Sequence, residues 1–172
     1  IFTRDIIEQL AANCEQPIIF PLSNPTSKSE AHPHDVLNWT NGKAIVGTGS
    51  PFPPYIKGDH LRRIDQINNC YIFPGLGLGI RALNAERVTA RMFLVAAQAL
   101  SAQSPSKDEP NVNLFPPVAK IREVSRQIAI AVGEEIAKAG LTKMQNLSRK
   151  KIVELVDQYM WEAKYLPYRK KS

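Results

Sequence analysis

The stretch PIIFPLSNPT, residues 17–26, decides the fold of this chain. Its first six residues are a short, continuous apolar run, which is typical of a buried strand. Asn24 stands before Pro25, and a residue before proline avoids helical geometry, so the run should stop there. We therefore predict a buried strand over residues 17–22, followed by a turn that contains Ser23 and Asn24.

The next segment adds a short helix and a second strand. Pro33 suits the first turn of a helix, and residues 43–47, with apolar residues at 44–46, are predicted to form a second buried strand. Strand, helix and strand in this order predict a parallel α/β sheet. Ligands bind such sheets outside the carboxyl ends of the strands. The polar or small residues expected at these ends are Ser23, Asn24, Thr48, Gly49 and Ser50.

The rest of the chain has the pattern of helices. Thr3 and Thr89 are predicted N-caps. A longer helix, with apolar residues at spacings of three or four, should begin at Pro116 and stop at Gly140. A last helix is predicted from about Ser148. Changes in the sequence pattern divide the chain into three regions, residues 1–67, 68–140 and 141–172.

Composition places the chain among ordinary globular proteins. It has 172 residues, of which 44% are hydrophobic and 22% charged, enough for one domain with a real core. No apolar run approaches the roughly 18 residues that cross a bilayer, so no membrane partner is expected. Because the chain opens on Ile1 in mid-fold, we expect a piece of a longer polypeptide. Cys14 and Cys70 have no metal-binding spacing and are expected to be free thiols in a reducing cytoplasm.

The basic charge of the chain has two possible meanings. A net charge of +6 could indicate a nucleic-acid partner. However, much of the excess lies near the C-terminus, in residues 149–151 and 169–171. A solvated helix face and tail explains such clusters better, so no nucleic-acid partner is expected.

Several groups that could carry chemistry do not form a motif. Gly75, Gly77 and Gly79 have GxGxG spacing, which differs from the GxGxxG of a dinucleotide fingerprint, and they are better explained as small residues that allow close packing. His32 and His34 are two residues apart, the wrong spacing for a shared helical face, and we expect exposed side chains. Ser23 and Ser50 have no neighbouring base, and Asp59 and Asp65 are interpreted as loop charges.

The remaining chemical signal is a set of uncharged amides at the edges of apolar segments: Asn24, Asn68 and Asn69. An amide can both donate and accept hydrogen bonds. Held at a strand end, it suits the carboxylate, hydroxyl or carboxamide of a small ligand. Each asparagine could also be an ordinary turn residue.

Three stretches of the sequence resemble the malic enzyme family. Residues 17–26, 44–52 and 68–75 are similar to its C-terminal part, in the same order and with similar spacing. The ending, residues 158–169, is similar to the long-chain, NAD-dependent bacterial type. The likeness covers essentially the whole chain. Cys70 and the charged segment 57–63 depart from the family pattern.

The resemblance implies an activity: oxidation of L-malate with NAD and a divalent metal, Mn²⁺ or Mg²⁺, followed by decarboxylation to pyruvate. It implies that Asn24, Asn68 and Asn69 bind substrate, and that Ser23, Asn24, Thr48, Gly49 and Ser50 bind the cofactor. It also implies that the catalytic tyrosine and lysine, the metal ligands and the GxGxxG turn precede Ile1. The chain then holds no catalytic residue and no metal ligand, and should be inactive alone.

The resemblance further implies a division of the chain. Residues 1–67 would complete a Rossmann-like, parallel-sheet NAD-binding domain. Residues 68–140 would add helices to the adjoining catalytic domain. Residues 141–172 would form a C-terminal helical extension with a basic, aromatic tail. The full-length protein would be a cytoplasmic homo-oligomer, a dimer or a tetramer.

Three alternatives stay open from the sequence. A malolactic enzyme shares these motifs but releases lactate and retains NAD. NADP could replace NAD as the cofactor. A basic nucleic-acid-binding module would use the clusters at 149–151 and 169–171.

Overall fold

The computed structural model describes residues 2–108 and 113–165. The chain forms two compact units. The first comprises Ile1–Tyr71 and Ser101–Ile121, and the second comprises Ile72–Leu100 and Arg122–Ser172. The predicted division at residues 67 and 140 stays a prediction, and the basic cluster at 169–171 lies outside the described residues.

Five strands lie in the first unit, within the part of the chain that the structure describes. They are β1 (Ile18–Ile19), β2 (Ile45–Thr48), β3 (Tyr55–Lys57), β4 (His60–Arg62) and β5 (Asp65–Gln66). Strands β1, β2 and β5 form one sheet in the order β1-β2-β5, and both pairings are parallel. The predicted parallel α/β sheet is confirmed.

Strand β1 is shorter than the predicted run of residues 17–22. Its two residues pair in register with β2, Ile18 opposite Ile45 and Ile19 opposite Val46. Pro17 and Pro21 flank it, and a proline has no backbone N–H to donate to a neighbouring strand. The two proline carbonyls still accept, that of Pro17 from the N–H of Ile45 at 2.9 Å and that of Pro21 from the N–H of Gly49 at 3.1 Å. Because neither proline can donate in return, the regular strand ends between them.

Two helices accompany the sheet in the first unit. They are α1 (Arg4–Asn13) and α2 (Pro33–Trp39). Thr3 holds the N-cap position of α1 without a side-chain hydrogen bond, whereas His32 caps α2 by accepting from the backbone N–H of His34. The unit closes around a core of apolar side chains: Ile7, Ile19, Ala31, Val36, Leu37, Ala44, Val46, Tyr55 and Ile64.

Three strands in the first unit were missed by the sequence interpretation, namely β5 and the two strands of a hairpin. Strands β3 and β4 form an antiparallel hairpin around Gly58 and Asp59, with Tyr55 opposite Arg62. Gly58 has a φ of 59° there, which a glycine adopts without strain. A Gly-Asp pair between two short segments is a hairpin signal, hidden here by the charged residues around it.

The second unit is helical. Its helices are α3 (Phe73–Ala82), α4 (Ala90–Ser101), α5 (Ile121–Lys138) and α6 (Arg149–Tyr159). Helix α5 begins after a 3-10 turn, Val118–Lys120, rather than at Pro116, because the ψ of Pro117, 142°, is outside the helical range. Gly140 follows with a φ of 64°, the left-handed conformation that ends a helix. Among the described residues, none of the helices is both long enough and apolar enough to cross a membrane.

The glycines of α3 have the predicted packing role at two of their three positions. A Cβ on Gly75 would lie 2.7 Å from the carbonyl oxygen of Ser125, and one on Gly79 would lie 2.8 Å from that of Ala129. Both carbonyls belong to α5, so the two helix backbones are in close contact. A Cβ on Gly77 would meet nothing within 4 Å.

Candidate functional site

The carboxyl ends of three parallel strands lie along one edge of the sheet in the first unit. Strands β1, β2 and β5 run in the same direction, so the segments that follow them emerge at that edge. We call these segments, residues 22–24, 49–50 and 67–69, the carboxyl edge. Every predicted site residue lies in it or at the last position of β2.

The structure brings Asn24 and Ser50 into contact across 26 positions of sequence. The Ser50 hydroxyl donates a hydrogen bond to Oδ1 of Asn24. Ser50 is 6% exposed, whereas the Asn24 side chain is on the surface. The exposed amide of Asn24 is therefore fixed by a hydrogen bond from a buried hydroxyl.

Gly49 allows the two loops to approach each other. A Cβ at this position would lie 2.1 Å from the carbonyl oxygen of Leu22 and 3.1 Å from Nδ2 of Asn24. A separation near 2 Å is far inside van der Waals contact. The backbone N–H of Gly49 also donates to the carbonyl of Pro21, at 3.1 Å. The loop after β1 can lie against the loop after β2 only because position 49 has no side chain.

Further hydrogen bonds fix the loop after β2. The hydroxyl of Thr48, which is fully buried, donates to the carbonyl of Ser50 at 2.8 Å. Gln66 reaches the carbonyl of Gly49 at 3.4 Å. On the other loop, the backbone N–H of Leu22 donates to Oε2 of Glu30 at 2.9 Å. The half-buried Ser23 donates its backbone N–H to the same oxygen at 3.4 Å.

The paired asparagines after β5 occupy different environments. Oδ1 of Asn68 accepts from the backbone N–H of Cys70 at 3.0 Å, so this side chain closes the 3-10 turn Asn69–Tyr71. The side chain of Asn69 is exposed and, among the described residues, makes no hydrogen bond. Asn69 is therefore available to bind a ligand, whereas half of the Asn68 amide is already engaged.

Tyr71 anchors this turn to the segment that precedes α5. Its hydroxyl donates to the carbonyl of Pro116 at 2.6 Å, and its ring packs against Phe115 with centroids 5.1 Å apart. Burial raises the pKa of Tyr71, so the phenol is neutral and can donate. The turn Asn69–Tyr71 is thus attached, through its last residue, to the segment that contains Phe115 and Pro116.

Asp65 is a buried carboxylate that the sequence interpretation placed on a loop, and that interpretation is wrong. It lies in β5 and is 3% exposed. Oδ2 accepts from the backbone N–H of Leu114 at 2.7 Å. Nη2 of Arg63 lies 3.0 Å from Oδ1, although without hydrogen-bond alignment. Burial raises the pKa of Asp65, against the opposing effect of the Leu114 N–H.

The burial of the Asp65 side chain could not be predicted from the neighbouring sequence, because the residue that donates to its carboxylate, Leu114, is 49 positions away. Asn113 and Arg63 add two hydrogen bonds to the same junction. Nδ2 of Asn113 donates to the carbonyl of Arg63 at 2.7 Å, and Nη2 of Arg63 donates to the carbonyl of Phe115 at 2.6 Å. Segment 113–116 therefore supports β5 from the side.

The chemistry available at the carboxyl edge is binding and orientation. Its polar side chains are amides and hydroxyls, which suit the carboxylate, hydroxyl or carboxamide of a small ligand. Among the residues that the structure describes, no group of three or more His, Cys, Asp or Glu is placed to hold a metal ion. Protein sites for Mg²⁺ are built around one or two carboxylates, and residues 22–24, 49–50 and 67–69 include none, so the side chains of this edge do not by themselves fit a divalent cation.

A parallel α/β sheet with hydrogen-bonding loops at its carboxyl edge defines the class of small-ligand-binding α/β domains. Within that class, the sequence model described as "Malic enzyme, NAD binding domain" matches residues 1–137. The chain is 44% identical over 170 residues to the NAD-dependent malic enzyme of Acinetobacter baylyi. It belongs to the malic enzyme family.

Solved structures agree with this assignment at the level of the fold. The malic enzyme of Entamoeba histolytica matches with a TM-score of 0.72 and 22% identity, over 93% of this chain and 29% of that one. The malic enzyme of Pyrococcus horikoshii matches with a TM-score of 0.70 and 27% identity, over 93% and 32%. The Acinetobacter alignment covers 99% of this chain but 30% of the relative. The chain therefore spans about a third of the length of the malic enzymes it matches.

Proposed function

We propose that the chain is the C-terminal part of an NAD-dependent malic enzyme, which oxidises L-malate and releases pyruvate and CO₂. The observation that carries this proposal is the carboxyl edge itself. Three asparagines lie there, in the loops after β1 and β5, in a chain that is 44% identical to a curated NAD-dependent malic enzyme. The intact enzyme, meaning this chain within a polypeptide of its relatives' length, would be a cytoplasmic homo-oligomer.

Asn69 and Asn24 are proposed to bind the reactants. The exposed amide of Asn69 can donate to a malate carboxylate, and Asn24 can contact both malate and the nicotinamide. NAD, when bound, would supply the hydride acceptor for oxidation at the C2 carbon of malate. Neutral amides hold the two reactants in line without adding a fixed charge beside that carbon.

The remaining edge residues are proposed to shape the cofactor side. Gly49 permits close backbone approach, and the buried Thr48 hydroxyl keeps the loop closed by bonding to the carbonyl of Ser50. Ser23 contributes a half-buried position at the end of β1. Asn68 holds the turn on which Asn69 stands. Acid, base and metal ligands would come from the rest of the polypeptide, with Mn²⁺ or Mg²⁺ as the ion.

The experiment that tests this proposal is an assay of the intact enzyme with malate, NAD and Mn²⁺. We expect NADH and pyruvate to form in equal amounts, with slower turnover when NADP replaces NAD. Lactate without net NADH would instead identify a malolactic enzyme. The isolated chain should show no malate oxidation under the same conditions, and measurable turnover by it would contradict the assignment of the catalytic groups to the rest of the protein.

A further inference from the structure

The hydrogen bond between Ser50 and Asn24 assigns a different task to each residue. We propose that Ser50 is a positioning residue that fixes the amide of Asn24, so that Asn24 meets its ligand as a hydrogen-bond donor through Nδ2. This inference rests on the proposed function and deepens it. It separates Ser50, which acts through Asn24, from residues that touch the reactants.

Burial limits what Ser50 can contact. The residue is 6% exposed and its hydroxyl is donated to Oδ1 of Asn24. A hydroxyl has a single hydrogen to donate, so none is left for a ligand. Thr48 further restrains the loop by donating to the carbonyl of Ser50 at 2.8 Å. The Ser50 hydroxyl is therefore not available to donate to a reactant, and its donated hydrogen bond acts on the amide of Asn24.

The two ends of the Asn24 amide are distinguished by this contact. Oδ1 is occupied by Ser50, while Nδ2 carries two hydrogens and has one long contact, 3.4 Å, to the carbonyl of Leu22. Rotating the amide by 180° would place an NH₂ group where the Ser50 hydroxyl now finds an acceptor. The rotation would also turn Oδ1 towards the carbonyl oxygen of Leu22, so that two acceptors would face each other.

A donor at Asn24 selects a class of ligand group. Nδ2 can bind an oxygen acceptor, either a malate carboxylate oxygen or the carboxamide oxygen of the nicotinamide. A ligand group that only donates would meet the wrong end of the amide and leave it unpaired, which costs affinity. The Ser50–Asn24 pair thus contributes to specificity as well as to orientation.

A double-mutant cycle in the intact enzyme tests the inference. The variants are Ser50→Ala, Asn24→Ala and the double variant, assayed for kcat and for the KM values of malate and NAD. Ser104→Ala is the matched control, because it removes a serine hydroxyl that is bonded to another side chain, Ser106 at 2.8 Å, in the same unit but outside the residues of the carboxyl edge. Ser104→Ala should leave all kinetic constants unchanged.

We expect Ser50→Ala to lower kcat/KM by about 3- to 10-fold, the loss of one hydrogen bond, and Asn24→Ala to lower it by about 10- to 100-fold. The double variant should be no worse than Asn24→Ala alone. A rise in the KM of malate identifies the carboxylate as the acceptor, and a rise in the KM of NAD identifies the carboxamide.

Multiplicative losses in the double variant would overturn the inference, because they would show that Ser50 acts independently of Asn24. Unchanged kinetics in Ser50→Ala would overturn it as well. A wild-type enzyme that forms no pyruvate from malate would overturn the proposed function and the inference together. The two failures are therefore distinguishable.

Discussion

Asn24 and Asn69 stand at the same edge of one sheet and are held in opposite ways. The Asn24 amide is bonded at one end to a buried hydroxyl and rests on a backbone that has no Cβ at Gly49. The Asn69 side chain is exposed and, within the described residues, makes no hydrogen bond of its own. Asn24 is thus oriented before a ligand arrives, whereas Asn69 depends on the turn beneath it.

This difference has an energetic meaning. A side chain that is fixed in advance loses little conformational entropy on binding, while one that is free loses more. Two hydrogen bonds between a side chain and the backbone fix the turn that carries Asn69. One joins Asn68 to the N–H of Cys70, and the other joins the Tyr71 hydroxyl to the carbonyl of Pro116.

The largest effect is expected from Asn69→Ala in the intact enzyme. Removing a hydrogen bond to a charged group costs about 1.5–3 kcal/mol, which corresponds to a loss of about 10- to 100-fold in kcat/KM for malate. Asn68→Ala is the neighbouring control and should cost only a few-fold, because it removes a turn cap. Steady-state kinetics measure both. Equal losses in the two variants would contradict the separate roles of the two asparagines.

Gly49→Ala should have the next largest effect, about tenfold in kcat/KM. The added Cβ would collide with the carbonyl of Leu22 and displace the loop that carries Asn24. Gly77→Ala makes the same chemical change in α3, where the Cβ meets nothing within 4 Å.

The Gly77→Ala control should keep full activity and a thermal midpoint at or above that of the wild type, because alanine favours a helix by about 1 kcal/mol over glycine. Wild-type kinetics for Gly49→Ala would show that the close contact between the two loops does not position Asn24.

Tyr71→Phe should have a smaller effect, a few-fold in kcat/KM. It removes the hydroxyl that donates to Pro116 while keeping the ring against Phe115. The lost hydrogen bond costs about 1 kcal/mol, so the thermal midpoint of the intact enzyme should fall modestly. The KM for malate should rise more than the KM for NAD, because Tyr71 anchors the turn of Asn69. An equal rise in both would argue against that link.

Asp65→Asn should change stability rather than catalysis. Burial raises the pKa of Asp65 in the folded state above its ordinary value, so the folded protein binds this proton more tightly than the unfolded chain does. The protonated Asp65 carboxyl therefore contributes its full stability below the pKa that it has in the unfolded chain. This contribution is lost as the pH rises through the pKa that it has in the folded protein. The variant should therefore melt at a higher temperature than the wild type near pH 7.

The thermal midpoints of Asp65→Asn and the wild type should converge as pH falls towards the ordinary range of an aspartate. Nη2 of Arg63 lies 3.0 Å from this carboxyl and its charge lowers the pKa of Asp65, so Arg63→Gln separates the influence of that charge from the influence of burial. A variant that is less stable than the wild type at neutral pH, and equally so at all lower pH values, would show that the ion pair with Arg63 outweighs the burial of the charge.

Much of this site could be predicted from local sequence. The two apolar runs and their polar ends placed Asn24 and Ser50 at the carboxyl ends of parallel strands, because strand direction follows from the helix between them. The contact between the two side chains could not be predicted, since it depends on how far the loops bend and on Gly49 at their crossing.

Strand β5 and the burial of Asp65 could not be predicted from the sequence, for a different reason. Two residues, one of them charged, carry no periodic pattern, and the strand exists through pairing with Gly47 and Thr48. The carboxylate is tolerated inside because Leu114, 49 positions later, supplies a backbone donor. Interactions between distant segments decide such features, and a single sequence does not display them.

The most direct test of the carboxyl edge as the reactant-binding side of a malic enzyme is a crystal structure of the intact enzyme with NAD, Mn²⁺ and the malate analogue tartronate. We predict that Nδ2 of Asn69 lies within hydrogen-bond distance of a tartronate carboxylate oxygen, about 2.7–3.2 Å. Nδ2 of Asn24 should likewise face an oxygen of tartronate or of the nicotinamide carboxamide. Analogue and nicotinamide bound away from this edge, with both amides facing only solvent, would contradict the account.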